Sequence, residues 1–444
     1  MNRAVRCVAV LMMTALLIMS FTSCDVLFGS SERGIPQEGD SEYVHIAAPS
    51  YTASPYYQSV VSTYSYGMLS EGQQALYDAL VKTAYDIYPE KDSRYTYRMP
   101  QVILDDYTLS DTEISVTLRA IMDDDPYLFW LSQTHTVLND PELGYTAVQL
   151  YSEFSPTQVT EMMTQIDKVI GDFYASVPDG MSDYELEKYV HDYVIGLCDY
   201  DDADVGRTEL SEENLRSHSV YGALVDKLCV CEGYGMTAQL LMNGLGLDCV
   251  CLTGTAYDGS GEQGPDQAQL HLWNAVKLDG DWYHVDLTWD DREEVFQRYD
   301  YFNLDDSMML TDHTLSELPA QLGDKLAESI KSQDVNIYIP SCNGTEYYYY
   351  SYSCPRLISL YDTEALEESL YQSAAAGEQY FLFYIDPSLD YDSVAESLFK
   401  SGQYFFDYLQ RVNERLYDTE VDDSNVVYYS DADRRTLAVE LKYF

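Results

Sequence analysis

The sequence predicts an α+β protein, helices packed on antiparallel sheets, over 444 residues. Three observations lead there. Stretches whose apolar residues return every three or four positions stand among stretches that alternate residue by residue. "SDYELEKYVHDYVIGLCDY" is a strong helical stretch, with Leu186, Tyr189, Val190, Tyr193 and Leu197 on one stripe. "LHLWNAVKLDGDWYHVDLTWD" holds two alternating runs joined by Asp279-Gly280, the expected centre of a type I′ turn between antiparallel strands.

The first residues stand apart from the fold. Arg3 and Arg6 precede an apolar run from Cys7 to Met19, then "SFTSC". That run is too short to span a bilayer comfortably and has the layout of a secretory signal. Thr22 and Ser23 before Cys24 resemble the lipobox of bacterial lipoproteins, with Phe21 where Leu is usual. The resemblance implies a lipoprotein signal peptide over 1–24, lipidation of Cys24, and an extracytoplasmic chain held to the membrane. An ordinary signal cut near Ser23, or an uncut anchor, leads out of the cytoplasm as well. Residues 25–41, rich in Ser, Gly and charge, read as a flexible tether.

Residues 42–155 read as an N-terminal α+β domain. "SEGQQALYDALVKTAYDIY" is a helix capped by Ser70, with Leu76, Leu80, Ala84 and Ile87 inward. "DTEISVTLRAIMDDDPYLFWL" reads as helix, turn and aromatic segment, and "HTVLND" and "YTAVQLYSEF" as strands. Residues 156–318 form the middle domain, in which the polar "DADVGRTELSEENLRSH" reads as a loop. Over 334–444, "NIYIP" and "YYYYSY" read as strands, "DTEALEESLYQSAAAG" as a helix ending at Gly377, "QYFLFYI" as a buried strand, "DYDSVAESLFKSG" as a helix and "RTLAVELKYF" as a last strand. That order suggests a small C-terminal α+β sandwich. Its aromatic strands suit packing, or a sugar or peptide.

Asp and Glu number 75 against 25 Lys and Arg, a formal net charge of -50. Such a surface repels phosphate backbones and argues against a nucleic-acid partner. The acidity reads as a solvated surface.

The chemistry gathers in the middle domain. Cys231, in "DKLCVCEGYG", precedes a run with Met236, Leu240 and Leu241 at helical spacing. A cysteine at a helix start is a candidate nucleophile, because free amides and the helix dipole favour its thiolate and lower its pKa. Cys229 is expected to point elsewhere, with a disulfide among its alternatives. Cys229, Cys231, Cys249 and Cys251 form two Cys-x-Cys pairs, whose zinc-site reading is disfavoured by the single intervening residue. Cys249 and Cys251 also suit a buried strand, and Cys342 and Cys354 could be bridged. Neither a metal nor a cofactor is expected.

A thiolate nucleophile needs an imidazole, and the imidazole an orienting carboxylate. In the two-residue-turn register Leu278 faces Asp281, Trp273 faces Asp286 and His271 faces Thr288. His271 and Asp286 are then diagonal neighbours on one sheet face. His284 shares that face and rivals His271 by spacing alone. Leu272, Val276, Tyr283, Val285 and Leu287 collect on the other face, which suits a core. Trp273, Trp282 and Trp289 form either the aromatic walls of a cleft or a packed cluster. His191 and His218 read as cap or surface residues.

"SVYGALVDKLCVCEGYG", "HLWN" and "WYHVDLTWDD" resemble the transglutaminase-like superfamily, in the form common among secreted bacterial proteins. Its Cys-x-Gly-Tyr falls on Cys231 to Tyr234, its His-x-Trp-Asn on His271 to Asn274, and its His-Val-Asp-x-Thr-Trp-Asp on His284 to Asp290. Leu272 and Gly235 depart from the alanines more usual there. The resemblance covers about 182–313. It implies a papain-like core, a helix carrying the cysteine packed on an antiparallel sheet carrying histidine and aspartate. It also implies a catalytic triad of Cys231, His271 and Asp286, with Tyr234, Trp273 and Trp289 along the substrate cleft. The expected activity is cysteine-dependent amide hydrolysis or acyl transfer through a thioester, on peptides or proteins of the cell envelope such as cell-wall peptides. The alternative is an envelope binding or scaffold protein with weak or absent catalysis.

Overall fold

The computed structural model describes residues 61–444 apart from 86–89, 92–96, 100, 105–106, 141–144, 153, 205–210, 258–267, 292–297, 317–335 and 418. The signal, Cys24 and tether expected over 1–41 lie outside the described residues, as does Ile87. No helix among the described residues is long and apolar enough to cross a membrane. The chain divides into two compact units, one running to Thr288 and including Asp306–Cys342, the other comprising Trp289–Asp305 and Asn343–Phe444.

The first unit begins with helices whose ends are written in the sequence. In α1 (Glu71–Tyr85) Ser70 and Gln73 exchange backbone and side-chain hydrogen bonds, and Leu76, Leu80 and Ala84 are fully buried. β1 (Val102–Leu104) leads to α2 (Asp111–Asp124), closed by a Ser110–Glu113 capping box. β2 (Leu131–Asp140) and β3 (Tyr145–Ser152) contain the segments "HTVLND" and "YTAVQLYS" that read as strands; they pair antiparallel, and β1 pairs with β3. α3 (Pro156–Ser176) and α4 (Asp183–Leu197) carry capping boxes at Ser155/Gln158 and Ser182/Glu185. Each such cap contributes about 1 kcal/mol by satisfying amides that the helix cannot.

The buried stripe of α4 differs from the expected one. Tyr184, Glu187, Val190, His191 and Val194 face inward. Tyr189 and Tyr193 are only partly covered, because both lie against Phe173 of α3 and the Tyr189 hydroxyl reaches Ser176 at the rim. His191 is therefore a core residue, not a cap or surface one. The segment read as a polar loop contains a short helix, Glu212–Ser217, started by Ser211.

α5 (Cys231–Gly244) then packs on a sheet of β4 (Asp248–Ala256), β5 (Gln269–Leu278), β6 (Asp281–Val285) and β7 (His313–Leu315). Within this unit the strand order is β6-β5-β4-β7, antiparallel throughout. Leu278 pairs with Asp281 and Val276 with Tyr283, the register expected from the turn. Asp279 and Gly280 both take positive φ, 50° and 97°, as a type I′ turn requires. Leu272, Val276, Tyr283, Val285 and Leu287 are buried, and so is the opposite face at Trp273, Ala275 and His284. Leu240, Leu241 and Met242 of α5 are fully buried; burial stabilises each by roughly 1.5–3 kcal/mol.

In the second unit α6 (Glu364–Ala376) stops at Gly377, whose φ of 74° suits glycine. β8 (Tyr380–Ile385), α7 (Tyr391–Phe399) and β10 (Thr436–Glu440) lie where the sequence predicts them. α8 (Tyr404–Asn413) and β9 (Val427–Asp431) are further elements. Phe381, Phe383, Phe405 and Leu409 fill the core. "NIYIP", which belongs to the first unit, is not a strand, and "YYYYSY" of the second forms a short helix, Tyr349–Ser353. Tertiary contacts override tyrosine's strand preference here: Tyr349 stacks on Tyr299 at 3.9 Å and the buried Tyr350 hydroxyl donates to Asp300 at 2.6 Å. Cys342 and Cys354 are both free thiols.

Candidate active site

Cys231 is the first residue of α5, preceded by Val230, whose extended backbone turns the chain into the helix. Cys229 points away. Its sulfur meets that of Cys198 at 3.7 Å, at the end of α4. Gly233 is glycine because a Cβ there would lie 2.4 Å from the Cys229 Cβ. The four cysteines of the Cys-x-Cys pairs thus diverge in partner: Cys231 packs with Cys251 and Leu272, and Cys229 with Cys198.

The strand carrying His271 lies against this helix. Leu272 touches Cys231, and the Asn274 side-chain amide donates to the Gly235 carbonyl of α5 at 2.9 Å. His271 Nε2 lies 2.6 Å from Asp286 Oδ2. β6 ends at Val285, and the chain turns into a helical turn at Leu287, so Asp286 stands just past the strand. The expected pairing of Trp273 with Asp286 and of His271 with Thr288 is replaced by this turn, but the imidazole–carboxylate contact forms.

His284, the rival by spacing, faces elsewhere. Its Nδ1 accepts from the Trp273 indole at 3.1 Å and its Nε2 lies 2.9 Å from Asp306. The residue that sequence reasoning missed is His313. Its Nε2 lies 3.1 Å from the same Asp286 oxygen, and its Nδ1 is 2.7 Å from Asp312. It reaches there over Gly254 and Ala256 of β4, which pair with His271 and Gln269 on one side and Leu315 and His313 on the other. A Cβ at 254 would lie 2.0 Å from the Thr314 carbonyl oxygen and 2.9 Å from the Trp273 ring. Small residues on the central strand thus let rings from both neighbours converge.

The electrostatics follow. Burial opposes the charge of Asp286, but His271 and then His313 outweigh it and hold the carboxyl well below the usual carboxylate range. Burial likewise opposes charging of His313, yet its bonds to Asp286 and Asp312 raise its pKa. The Cys231 thiol departs from expectation. Burial first, then the Glu232 carboxylate, push it well above its ordinary value. The thiol donates to Glu232 Oε2 at 3.1 Å. A Leu272 backbone amide acts in the opposite sense and is outweighed. Glu232 in turn pairs with His218 at 3.1 Å, and His218 with Asp204 at 2.8 Å. His218 closes the Glu212–Ser217 helix as a cap, and it is also the cation of this chain. Burial works against it, but Glu232 and Asp204 raise its pKa to about 10.

Of the expected cleft residues, Tyr234 is fully buried with its hydroxyl on the Cys198 carbonyl, and Trp273 lies in the interior at 6.1 Å from the His271 ring. Trp289 belongs to the second unit and packs edge-on to Tyr301. Tyr200, 36 % exposed, is the aromatic beside the site: burial, then Cys231, Glu232 and Asp286, raise its pKa.

The sequence model of the transglutaminase-like superfamily matches residues 175–287. Among solved structures, a TGase is similar at 14% identity and a TM-score of 0.26, covering 49% of this chain and 66% of that one. A protein provisionally assigned as a cysteine protease from Cytophaga hutchinsonii is similar at 9% identity and a TM-score of 0.22, covering 50% and 71%. A protein provisionally assigned as a protease from Parabacteroides distasonis is similar at 7% identity and a TM-score of 0.20, covering 35% and 36%. No curated protein matches the chain. Residues 175–287 form a transglutaminase-like superfamily domain.

Proposed function

We propose that the chain is an extracytoplasmic, membrane-anchored cysteine-dependent amide hydrolase or acyltransferase acting on peptides or proteins of the cell envelope. The chemical part of this reading rests on the 2.6 Å contact of His271 with the buried Asp286, on a strand packed against the helix that Cys231 starts, and the anchoring part on the lipobox-like Thr22-Ser23-Cys24. With Nε2 bound to Asp286, proton exchange falls to His271 Nδ1. The Cys231 sulfur attacks an amide carbonyl while its proton passes to Nδ1. The tetrahedral adduct collapses to a thioester as that proton goes to the departing amine. Water resolves the thioester to an acid, or an amine to a new amide. Hydrolysis is the reading favoured here, because water is abundant. Attachment through Cys24 predicts that Cys24→Ala moves the protein out of the detergent phase.

One observation favours a second reading, a binding or scaffold protein with weak catalysis: Cys231 is only 8% exposed and its thiol is bound to Glu232. A thiol-reactive probe separates the two. Cys231 labelled faster than a free peptide cysteine, and slowed by His271→Ala, supports the enzyme; labelling no faster than the free cysteine supports the scaffold. Mass spectrometry of envelope peptides and proteins incubated with wild type and Cys231→Ala then identifies the bond broken or joined.

A further inference from the structure

We propose that His271, Asp286 and His313 form a binding site for a divalent transition-metal ion of the zinc class, which occupies the histidine–carboxylate centre and silences it. His271 Nε2, an Asp286 carboxylate oxygen and His313 Nε2 all lie within 4.8 Å of one another. Two imidazole nitrogens and one carboxylate are a donor set suited to zinc, cobalt or nickel. The three side chains are nearly or fully buried, so their arrangement is fixed by packing and not by solvent. His271 keeps 8% exposure, which leaves an edge open to an entering ion.

The surroundings of His313 are those of a metal ligand. Its Nδ1 donates to the Asp312 carboxylate at 2.7 Å, which fixes the ring and turns Nε2 toward Asp286. A carboxylate behind a histidine in this way orients the ring and raises its basicity as a ligand. The ion takes the place of the protons that now bridge both rings to Asp286. His313 releases its Nε2 proton to solvent and keeps Nδ1–H on Asp312. His271 binds through Nε2 as the tautomer protonated on Nδ1. No oxidation or reduction is involved.

A second group, His284, Asp306 and Cys342, is equally close. There the Trp273 indole, which can only donate, bonds to His284 Nδ1. The proton of that ring is therefore on Nε2, the nitrogen facing Asp306, and the tautomer is wrong for ligation. In the first group each histidine can free Nε2 while keeping a proton on Nδ1, whereas the Trp273 indole blocks that shift in His284.

The occupied site also withholds His271 from Cys231. The silencing step rests on the proposed role of His271 toward Cys231; the metal site itself does not, because metal binding is read directly. The test is a cobalt(II) titration of the untagged chain, carried out on Cys231→Ala so that the candidate nucleophile cannot contribute. One equivalent of cobalt should bind with d–d bands and no thiolate-to-cobalt charge-transfer band, and zinc should displace it. Asp312→Asn should weaken binding roughly tenfold to a hundredfold, and His313→Gln at least as much, with the fold checked by circular dichroism. The milder Asp312 variant carries the test if His313→Gln does not fold. Absence of binding, a thiolate charge-transfer band, or an affinity unchanged in both variants overturns the proposal. In wild type, zinc should slow alkylation of Cys231; alkylation fast and unchanged at saturating zinc overturns the silencing step.

Discussion

Leu272 fills the space that Gly235 leaves empty: a Cβ on Gly235 would lie 2.2 Å from Leu272 Cδ2. These are the two positions at which the chain departs from the alanines more usual in the family it resembles, and the departures touch. Two effects compete in Gly235→Ala. Removing a helical glycine gains about 1 kcal/mol, whereas overpacking a tight contact costs about 1–3 kcal/mol. The clash should win, so Gly235→Ala lowers stability to urea. In a Leu272→Ala background the same substitution should raise it. A like sign in both backgrounds would show that the contact is not what excludes a side chain at 235.

Cys231, not Cys229, should be the reactive thiol. Cys229 is fully buried against Cys198. Cys229→Ser should retain most Cys231 labelling and turnover, and Cys231→Ala should abolish both. Peptide mapping after iodoacetamide treatment reads this directly, and the opposite pattern would reverse the assignment.

Glu232 should hold that thiol back. A carboxylate 3.1 Å from the sulfur disfavours the thiolate. Glu232→Gln removes the charge and keeps the shape, so the thiol pKa falls and iodoacetamide labelling at pH 7 quickens severalfold. Slower labelling in the variant would mean that Glu232 assists deprotonation.

How much of this site was legible follows from what each residue depends on. Asp279-Gly280 fixes a hairpin register by local turn chemistry alone; that register holds to Val285, and the turn just beyond it brings Asp286 to His271. Cys231 was legible because the helix start is also local. His313 was not. It lies 27 residues beyond Asp286 and arrives through the pairing of β7 with β4, a long-range contact with no periodic trace. Gly254 held the clue, since a glycine inside an otherwise regular strand marks a close approach. The direction of the Cys231 pKa was missed for a related reason. A helix start is visible in sequence, but burial and the rotamer that brings Glu232 onto the sulfur are not. Tyr234 was read as cleft lining from its motif position, whereas helix packing turns it into the core.

The Glu232–His218–Asp204 chain predicts a pH dependence of stability. His218 is raised to about 10 from 6.5. Its contribution is complete below pH 6.5 and is lost as pH rises through about 10. Glu232 and Asp204 are lowered to about 2 from 4.5 and 3.8. Burial opposes both, and His218 is the main compensating partner. Their contribution is complete above those ordinary values and is lost as pH falls toward 2. The stability difference between wild type and His218→Gln should thus be widest between roughly pH 4.5 and 6.5. A difference in urea midpoint that stays flat from pH 5 to 10 would remove the charge from the explanation.

Asp286→Asn tests the centre of the mechanism. The aspartate accepts from both His271 and His313 through one oxygen, so His271 holds its proton on Nε2 and presents Nδ1 as the base. Asparagine keeps the size and one acceptor, but its amide can also donate. If it donates to His271 Nε2, the ring proton moves to Nδ1, the atom that must receive the thiol proton. The charge that steadies the imidazolium is lost as well. Turnover should fall on the order of a hundredfold or more, and the His271-dependent part of Cys231 labelling should disappear, while circular dichroism stays native. Asp290→Asn is the contrast. Asp290 is buried rather than a surface charge, and it accepts from the Tyr301 amide at 2.9 Å. Its loss should lower stability by about 1–3 kcal/mol and leave labelling of Cys231 near wild type. If Asp290→Asn silences the thiol and Asp286→Asn does not, the orienting carboxylate is Asp290, and the role given to Asp286 passes to it.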